Sequence, residues 1–271
     1  CLEVLCAALR WPLTQALDPP QAAIARLLGR VAEQRELQRI VLCDWSSNRG
    51  NGYFGFELLR QHLARRLPGL EIQLTDEADY PAAWLTPAEG RRTLVYRGFM
   101  YQDMTDHGAF FRRLWDSGAT VINTFETELR MHKGWFARLC DPRNHHLLSA
   151  AELDAVARYV PHTVAVGRDN LDGLLRDKAG LVFKLGLSSG GEGVLMGADH
   201  SVDRLRAAIE AKGVEHWCAQ RAITCDGLNL PYTAEFEFTP HNLVLGLYLI
   251  DGQASGLTVA ASSRTKLVNI H

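Results

Sequence analysis

Apolar positions along the chain fall into two rhythms. Between residues 39 and 125, short apolar runs alternate with amphipathic segments: IVLCDW at 40–45, then FELLRQHLARRL, EIQLTD, TLVYRGF at 93–99, DHGAFFRRLWDSG and ATVIN at 119–123. Compact runs of this length suit buried strands, and the helical periodicity between them suits helices packed on a sheet. Strand and helix in alternation predict a parallel, doubly wound α/β sheet. Residues 1–38 ahead of it read as helical, with Pro20 near a helix start. After Asn123 two helices are predicted, over FETELRMHKGWFARL and LSAAELDAVARYV, and Ser149 and Glu152 in the second have capping-box spacing. From about residue 162 the pattern turns to strands and turns: GLVFKLGL, GVLMG, HWCAQRAI, TAEFEFT, LVLGLYLI and GLTVA. One helix interrupts them, SVDRLRAAIEAKG, stopped by Gly213 at the expected C′ position. The fold class is therefore α/β followed by α+β.

At 271 residues and 47% hydrophobic, the chain can bury a substantial core, in one large domain or two smaller ones. Its 29 basic and 31 acidic residues leave a net charge of -2, so no overall field draws it to nucleic acid or an acidic membrane. The longest strongly apolar stretch, LVLGLYLI at 243–250, is strand-sized, and neither a membrane span nor a signal peptide is expected. The cysteines Cys1, Cys6, Cys43, Cys140, Cys218 and Cys225 form no CxxC and no zinc-type spacing. Cys43 and Cys218 fall within strand patterns, where a free cysteine acts as a small buried hydrophobe, and a cytoplasmic location is expected. A first residue other than Met and an abrupt stop after VNIH suggest a piece of a longer chain.

Several polar residues stand where the pattern does not ask for them. In a parallel sheet, ligands sit beyond the carboxyl ends of the strands, and Asp44, the following SSNRGNGYFG loop and Arg97 all fall there. The alternative is that Asp44 caps a turn and Arg97 lies at the surface. In the helix predicted near 128–140, Lys133 lies on the stripe of Leu129, Phe136 and Cys140, where it either snorkels to the edge or meets an anion. Lys184 interrupts the apolar strand LVFKLGL, four residues before the serines of KLGLSSGGEGVLMG (184–197). That glycine loop matches neither GxxxxGK[ST] nor GxGxxG, and a strand follows it, so a hairpin is predicted. Its backbone N–H groups and the hydroxyls of Ser188 and Ser189 could bind phosphate oxygens, or the segment is a plain turn.

In TAEFEFT, Glu235 and Glu237 share one strand face with Cα atoms roughly 7 Å apart, close enough to hold a hard cation together. A solvated face is the alternative. Asp251-Gly252 is predicted to turn a hairpin, His145-His146 to be an exposed loop pair, and Asn269 to need a partner if buried.

Taken in order, these segments resemble an ATP-grasp ligase, with the nearest likeness in the circularly permuted group that includes glutathionylspermidine-synthase-like proteins. The resemblance runs over roughly 39–271 and rests on order and spacing. It implies an N-terminal helical segment (1–38), a Rossmann-like pre-ATP-grasp domain (39–125) and a two-lobed ATP-grasp domain (126–271). The last would comprise a helical lead-in (126–161), a small lobe (162–215) and a larger β lobe (216–271), the latter expected to be truncated. NTFETELRMHKGWFARL is similar to the segment carrying the first nucleotide lysine, which implies that role for Lys133. VFKLGLSSGGEGVLMG resembles the second lysine strand and its mobile flap, which implies phosphate contacts from Lys184, Ser188, Ser189, Gly190, Gly191 and Gly193. HWCAQRAI resembles the strand whose backbone faces adenine, with Gln220, Arg221 and Ile223. GLTVAASSRTKLVNI is similar to the terminal strands, which implies Asn269 as a magnesium ligand.

The departures from the family are specific. Gln220 is followed by Arg221 where Glu is usual, Arg264 is the candidate for an arginine expected near Ala260, and Leu267 and Val268 precede Asn269 where an acid is expected. Glu235 or Glu237 is the candidate for the missing metal ligand. The implied activity is an ATP- and Mg2+-dependent carboxylate–amine ligation through an acylphosphate, with Arg264 catalytic, Asp44 and Arg97 meeting substrate, and small-molecule or peptide acid and amine substrates. A non-catalytic nucleotide- or partner-binding module and a small-molecule kinase are the alternatives.

Overall fold

A computed structural model describes residues 20–50, 53–188, 191–223, 228–231 and 238–263. The chain divides into two compact units, residues 1–126 with 245–258, and residues 127–244 with 259–271.

The first unit is built on the predicted parallel sheet. Its principal elements are α1 (Pro20–Gln34), β1 (Arg39–Asp44), α2 (Tyr53–Arg66), β2 (Glu71–Asp76), β3 (Thr93–Arg97), α3 (Ala109–Asp116) and β4 (Thr120–Ile122). The strands lie in the order β2-β1-β3-β4, all parallel, with Arg39 opposite both Glu71 and Thr93. Central strand β1 is apolar throughout because both of its faces are covered. Ile40 and Leu42 pack with Leu28 and Ala32 of α1 and Leu59 and Leu63 of α2. Val41 and Cys43 pack on the other face with Trp45, Phe99, Phe110 and Leu114. Each fully buried leucine contributes about 1.5–3 kcal/mol of transfer free energy, which is why a continuous apolar run forms a strand here despite its brevity.

The second unit begins with a correction to the predicted helix near 128–140. Two short helices replace it, α4 (Phe125–Leu129) and α5 (Gly134–Cys140), separated by a turn that places Lys133 at the N-cap of α5. The Lys133 N–H bonds the carbonyl of Gly186 and the Gly134 N–H bonds the side chain of His132, so both donors are withdrawn from a continuous helical ladder. Leu129 and Phe136, read as one apolar stripe, are exposed. The next helix, α6 (Ala150–Tyr159), opens on the capping box expected at Ser149 and Glu152. His145 and His146 lie in the one-turn stretch Pro142–Leu147, the first half-buried and the second exposed.

Four antiparallel strands follow, β5 (Thr163–Ala165), β6 (Leu181–Leu185), β7 (Val194–Met196) and β8 (Trp217–Arg221), in the order β5-β8-β6-β7. Helices α7 (Leu171–Arg176) and α8 (Val202–Ala211) cover one face, where Phe183, Trp217 and Ala219 pack with Leu175, Leu205 and Ile209. Strand β8 thus pairs wholly with strands on the 162–215 side of the lobe boundary expected at 216. Strands β9 (Leu228–Pro231), β10 (Phe238–Ile250) and β11 (Gln253–Ser262) form a further sheet in the order β11-β10-β9, of which residues 245–258 belong to the first unit. The predicted Asp251-Gly252 turn joins β10 and β11, with left-handed backbone at both residues (φ 56 and 73). Among the described residues, no helix is long and apolar enough to cross a membrane.

Candidate functional site

Strand alternation sorts the small sheet of the second unit into two faces. Phe183 and Ala219, paired across β6 and β8, point at the helices; Lys184 and Cys218, the next pair along, point the other way with Val182 and Gln220. The second face is where the polar side chains gather. Lys184 donates from Nζ to Gln220 Oε1 at 2.5 Å, Gln220 Nε2 donates to Thr163 Oγ1 at 2.9 Å, and Thr163 Oγ1 donates to the Pro161 carbonyl at 2.7 Å. This relay fixes the orientation of the amide, so Gln220 meets Lys184 with its oxygen.

Lys133 reaches the same region from the turn between α4 and α5. Its backbone N–H bonds Gly186 O at 2.9 Å, which anchors the turn to the end of β6, and Gly186 N in turn bonds His216 O at 2.8 Å. The Lys133 ammonium donates to the Ser188 carbonyl and, at 3.0 Å, to Ser188 Oγ. Both lysines are half-buried, and among the described residues their polar partners are a carbonyl, a hydroxyl and an amide, none of them a carboxylate. Burial holds both ammonium groups below the usual lysine value, and for Lys133 the charge of Lys184 adds to the effect. The Cys218 thiol between them is pushed up by burial, against the opposing pull of the two lysines, and stays protonated.

The loop from β6 to β7 is the predicted hairpin. Leu185 N bonds Gly193 O at 2.8 Å to close it, and Gly191 and Gly193 take left-handed backbone (φ 80 and 64). A Cβ on Gly193 would also lie 2.6 Å from Leu185 Cβ, so glycine is required there twice over. Ser188 hydrogen-bonds Leu185 O at 3.1 Å; Ser189 and Gly190 lie outside the described residues. Of the expected adenine-facing segment, Arg221 N and Ala222 N are bonded to His162 O and Gly180 O, both at 2.8 Å, and Ile223 beyond them is exposed. The assigned metal and catalytic residues Glu235, Glu237, Arg264 and Asn269 lie outside the described residues. Among the described residues, no group of three or more His, Cys, Asp or Glu side chains is arranged to hold a metal ion.

In the first unit, Asp44 and Arg97 do sit at the carboxyl end of the parallel sheet, on neighbouring strands. Neither is a surface group: relative exposures are 4% and 5%. Asp44 Oδ1 accepts from Trp45 N at 2.8 Å and Asn48 Nδ2 at 2.9 Å. The Arg97 guanidinium donates to the carbonyls of Asn123, Phe99 and Thr124 and lies 4.3 Å over the Phe125 ring. The turn-capping alternative therefore describes part of Asp44, while the surface alternative for Arg97 fails.

Sequence reasoning missed the anchor of the SSNRGNGYFG loop. Asp76, the last residue of β2, accepts from Arg49 and, at 2.9 Å, from Tyr53 OH, while Ser46 N bonds Glu77 Oε2 at 2.6 Å. Arg49, with Tyr53, holds the Asp76 carboxyl below its usual range. An acid closing EIQLTD just as Asp44 closes IVLCD was the available signal.

No protein-family model matches the chain, and no curated protein matches it. Among solved structures it is similar to D-cycloserine synthetase DcsG, at 18% identity over 68% of this chain and 59% of that one, with a TM-score of 0.41. It is also similar to D-alanyl-alanine synthetase A from Vibrio cholerae O1 biovar eltor, at 12% identity over 83% of this chain and 65% of that one, TM-score 0.42. A third similar structure is VanG D-Ala:D-Ser ligase from Enterococcus faecalis, at 11% identity over 85% of this chain and 78% of that one, TM-score 0.42. The chain spans less than two thirds of the length of the first two. At this level the likeness assigns no role to any residue.

Proposed function

We propose that the chain is part of an ATP- and magnesium-dependent carboxylate–amine ligase of the ATP-grasp type, within the circularly permuted, glutathionylspermidine-synthase-like group. One observation carries the reading: two half-buried ammonium groups, Lys133 and Lys184, serve one loop and one sheet face with only neutral partners among the described residues. Burying a cation without an anion is expensive, so such a pair fits a polyanionic ligand better than an empty surface. The hairpin loop beside them carries the hydroxyl of Ser188 and the left-handed glycines Gly191 and Gly193, the type of backbone that can approach phosphate oxygens closely.

In this reading, Lys133 and Lys184 hold phosphate oxygens of ATP, and the segment 188–193, including Ser189 and Gly190, closes over them. The stretch Gln220, Arg221 and Ile223 leads to the adenine. A substrate carboxylate oxygen attacks the γ-phosphorus and ADP leaves; the amine nitrogen then attacks the acyl carbon of the acylphosphate, and phosphate departs as the amide forms. The lysines act by orienting the phosphates and offsetting their charge, and Arg264 is assigned to the same charge-stabilising role. Magnesium, assigned to Glu235, Glu237 and Asn269, would offset charge on the transferring phosphoryl group. Substrate recognition is assigned to the carboxyl end of the parallel sheet, chiefly to Asp44, since the guanidinium of Arg97 is engaged by backbone carbonyls.

The test is incubation with ATP, magnesium and a panel of acid–amine pairs. ADP and phosphate release that depends on both the acid and the amine supports the ligase. ADP with a stable phosphorylated product identifies a kinase, and ATP binding without turnover a binding module. A panel without turnover, together with no calorimetric ATP binding, overturns the reading.

A further inference from the structure

His132 is a polar side chain of the second unit that the lysine assignment leaves without a role. Its Nδ1 lies 3.0 Å from Gly134 N. A backbone N–H can only donate, so Nδ1 is the unprotonated nitrogen, and a neutral imidazole then carries its proton on Nε2. Among the described residues, that Nε2–H has no hydrogen-bond partner, and the ring is only half-buried. The side chain is thus a donor held in tautomer and in orientation, with no partner for its donor end among the described residues.

Gly186 gives the direction of the ring. A Cβ built at residue 186 would lie 2.3 Å from both Cε1 and Nε2 of His132, so the imidazole occupies the space a side chain would take there. Gly186 N bonds His216 O at 2.8 Å, extending the β6–β8 pairing one step past Leu185 and Trp217. By strand alternation, the side-chain direction of residue 186 is that of Lys184. His132 therefore stands on the same face of the sheet as Lys184, and Lys133 is its immediate neighbour in the turn. His132, Lys133 and Lys184 thus bring N–H donors to one side of the sheet.

We propose that His132 is a third phosphate-directed donor of this site, presenting Nε2–H to the polyphosphate that Lys133 and Lys184 hold. The inference rests on the nucleotide reading above and deepens it. It also explains Gly186: glycine is needed because the imidazole fills the side-chain position.

The experiment uses calorimetry with three probes, ATP, inorganic triphosphate and adenosine, on the wild-type chain and two variants. His132→Asn keeps an acceptor near Nδ1 and removes the Nε2 donor; His132→Gln restores an amide N–H near Nε2. His132→Asn should weaken ATP and triphosphate about tenfold while leaving adenosine unchanged, in keeping with the loss of one hydrogen bond to a charged group. His132→Gln should recover part of that loss. Equal triphosphate affinity in wild type and His132→Asn overturns the inference, as does a parallel loss for all three probes with a lowered melting temperature, which marks a turn-stabilising role alone.

Wild-type binding of triphosphate without ATP or adenosine overturns the nucleotide reading and spares His132; binding of neither ATP nor triphosphate overturns both. Independently of any ligand, long-range proton–nitrogen NMR of the imidazole should show the Nε2–H tautomer. The Nδ1–H tautomer would refute the assignment even if both variants failed to fold.

Discussion

Arg97 and Lys184 make an instructive pair, one from each unit. Both are cations at or near the end of an otherwise apolar strand, and sequence logic treats them alike. Arg97 is 5% exposed, with its guanidinium spread over three carbonyls and a phenyl ring. Lys184 is less buried and, among the described residues, has one amide oxygen as its partner. The arginine ties together the segments after β3 and β4 and is satisfied by protein. Among the described residues the lysine has no counter-charge, and burial lowers its pKa. Burial of charge is thus a poor marker of a binding site by itself; burial of charge without a counter-charge is the better one.

The largest effect should come from breaking the satisfied member. Arg97→Leu removes the donors from the carbonyls of Phe99, Asn123 and Thr124 and is expected to cost about 3 kcal/mol in urea-melt stability, because the buried Phe99 carbonyl loses its guanidinium donor and the stacking on Phe125 is lost. ATP affinity of the folded fraction should not change. The reverse pattern, normal stability with altered affinity for an acid or amine substrate, would return Arg97 to a substrate role.

Lys184→Met should invert that outcome. ATP affinity is expected to fall about 100-fold, the loss of a charge-assisted contact to phosphate, while melting temperature changes little, because relief of a desolvated charge offsets the loss of the donor to Gln220 Oε1. Unchanged ATP affinity would remove Lys184 from the site.

The same contrast explains which parts were legible in the sequence. The parallel sheet was readable because both faces of β1 are covered, and double burial writes itself as a continuous apolar run. Local chemistry was readable too: Ser149 Oγ does accept from Glu152 N, and Asp251-Gly252 does turn the hairpin. What failed depended on partners far along the chain. The helix expected over 128–140 breaks because Lys133 N bonds a carbonyl 53 positions away at Gly186, and no periodicity encodes that bond. Arg97 looked like a possible surface residue because its acceptors at Asn123 and Thr124 are likewise distant. The apolar helical stripe around Lys133 does not form, although its ammonium does reach the serine loop.

Gly186→Ala tests the joint where that long-range bond is made. The new methyl group would meet the His132 ring at 2.3 Å and push it out of the Lys184 face. An imidazole can move, so the expected cost is about 1–2 kcal/mol of stability, with ATP affinity lowered about fivefold or more through the displaced turn. A variant indistinguishable from wild type would mean that the turn and the lysine face are independent.

The smallest effect, and the most direct test of the uncompensated charge, is in the pH dependence. Both lysines titrate below the usual 10.5 in the folded chain, Lys184 through burial and Lys133 through burial and the charge of Lys184. Between those lowered values and 10.5 the unfolded chain binds more protons than the folded one, so stability without ligand should rise with pH in that window. Below the folded values both states carry the protons, and the cost of desolvating the charges is present in full. A bound polyphosphate favours the charged ammonium and raises its pKa, so binding should take up protons, and ATP affinity should fall as pH climbs through the same window. Stability and affinity therefore run in opposite directions with pH, a pattern that a satisfied cation such as a salt-bridged lysine would not give. The difference between wild type and Lys184→Met isolates the contribution from other titrating groups. If that difference in melting stability is flat below pH 10.5, Lys184 carries no desolvation cost, and the distinction drawn between it and Arg97 is wrong.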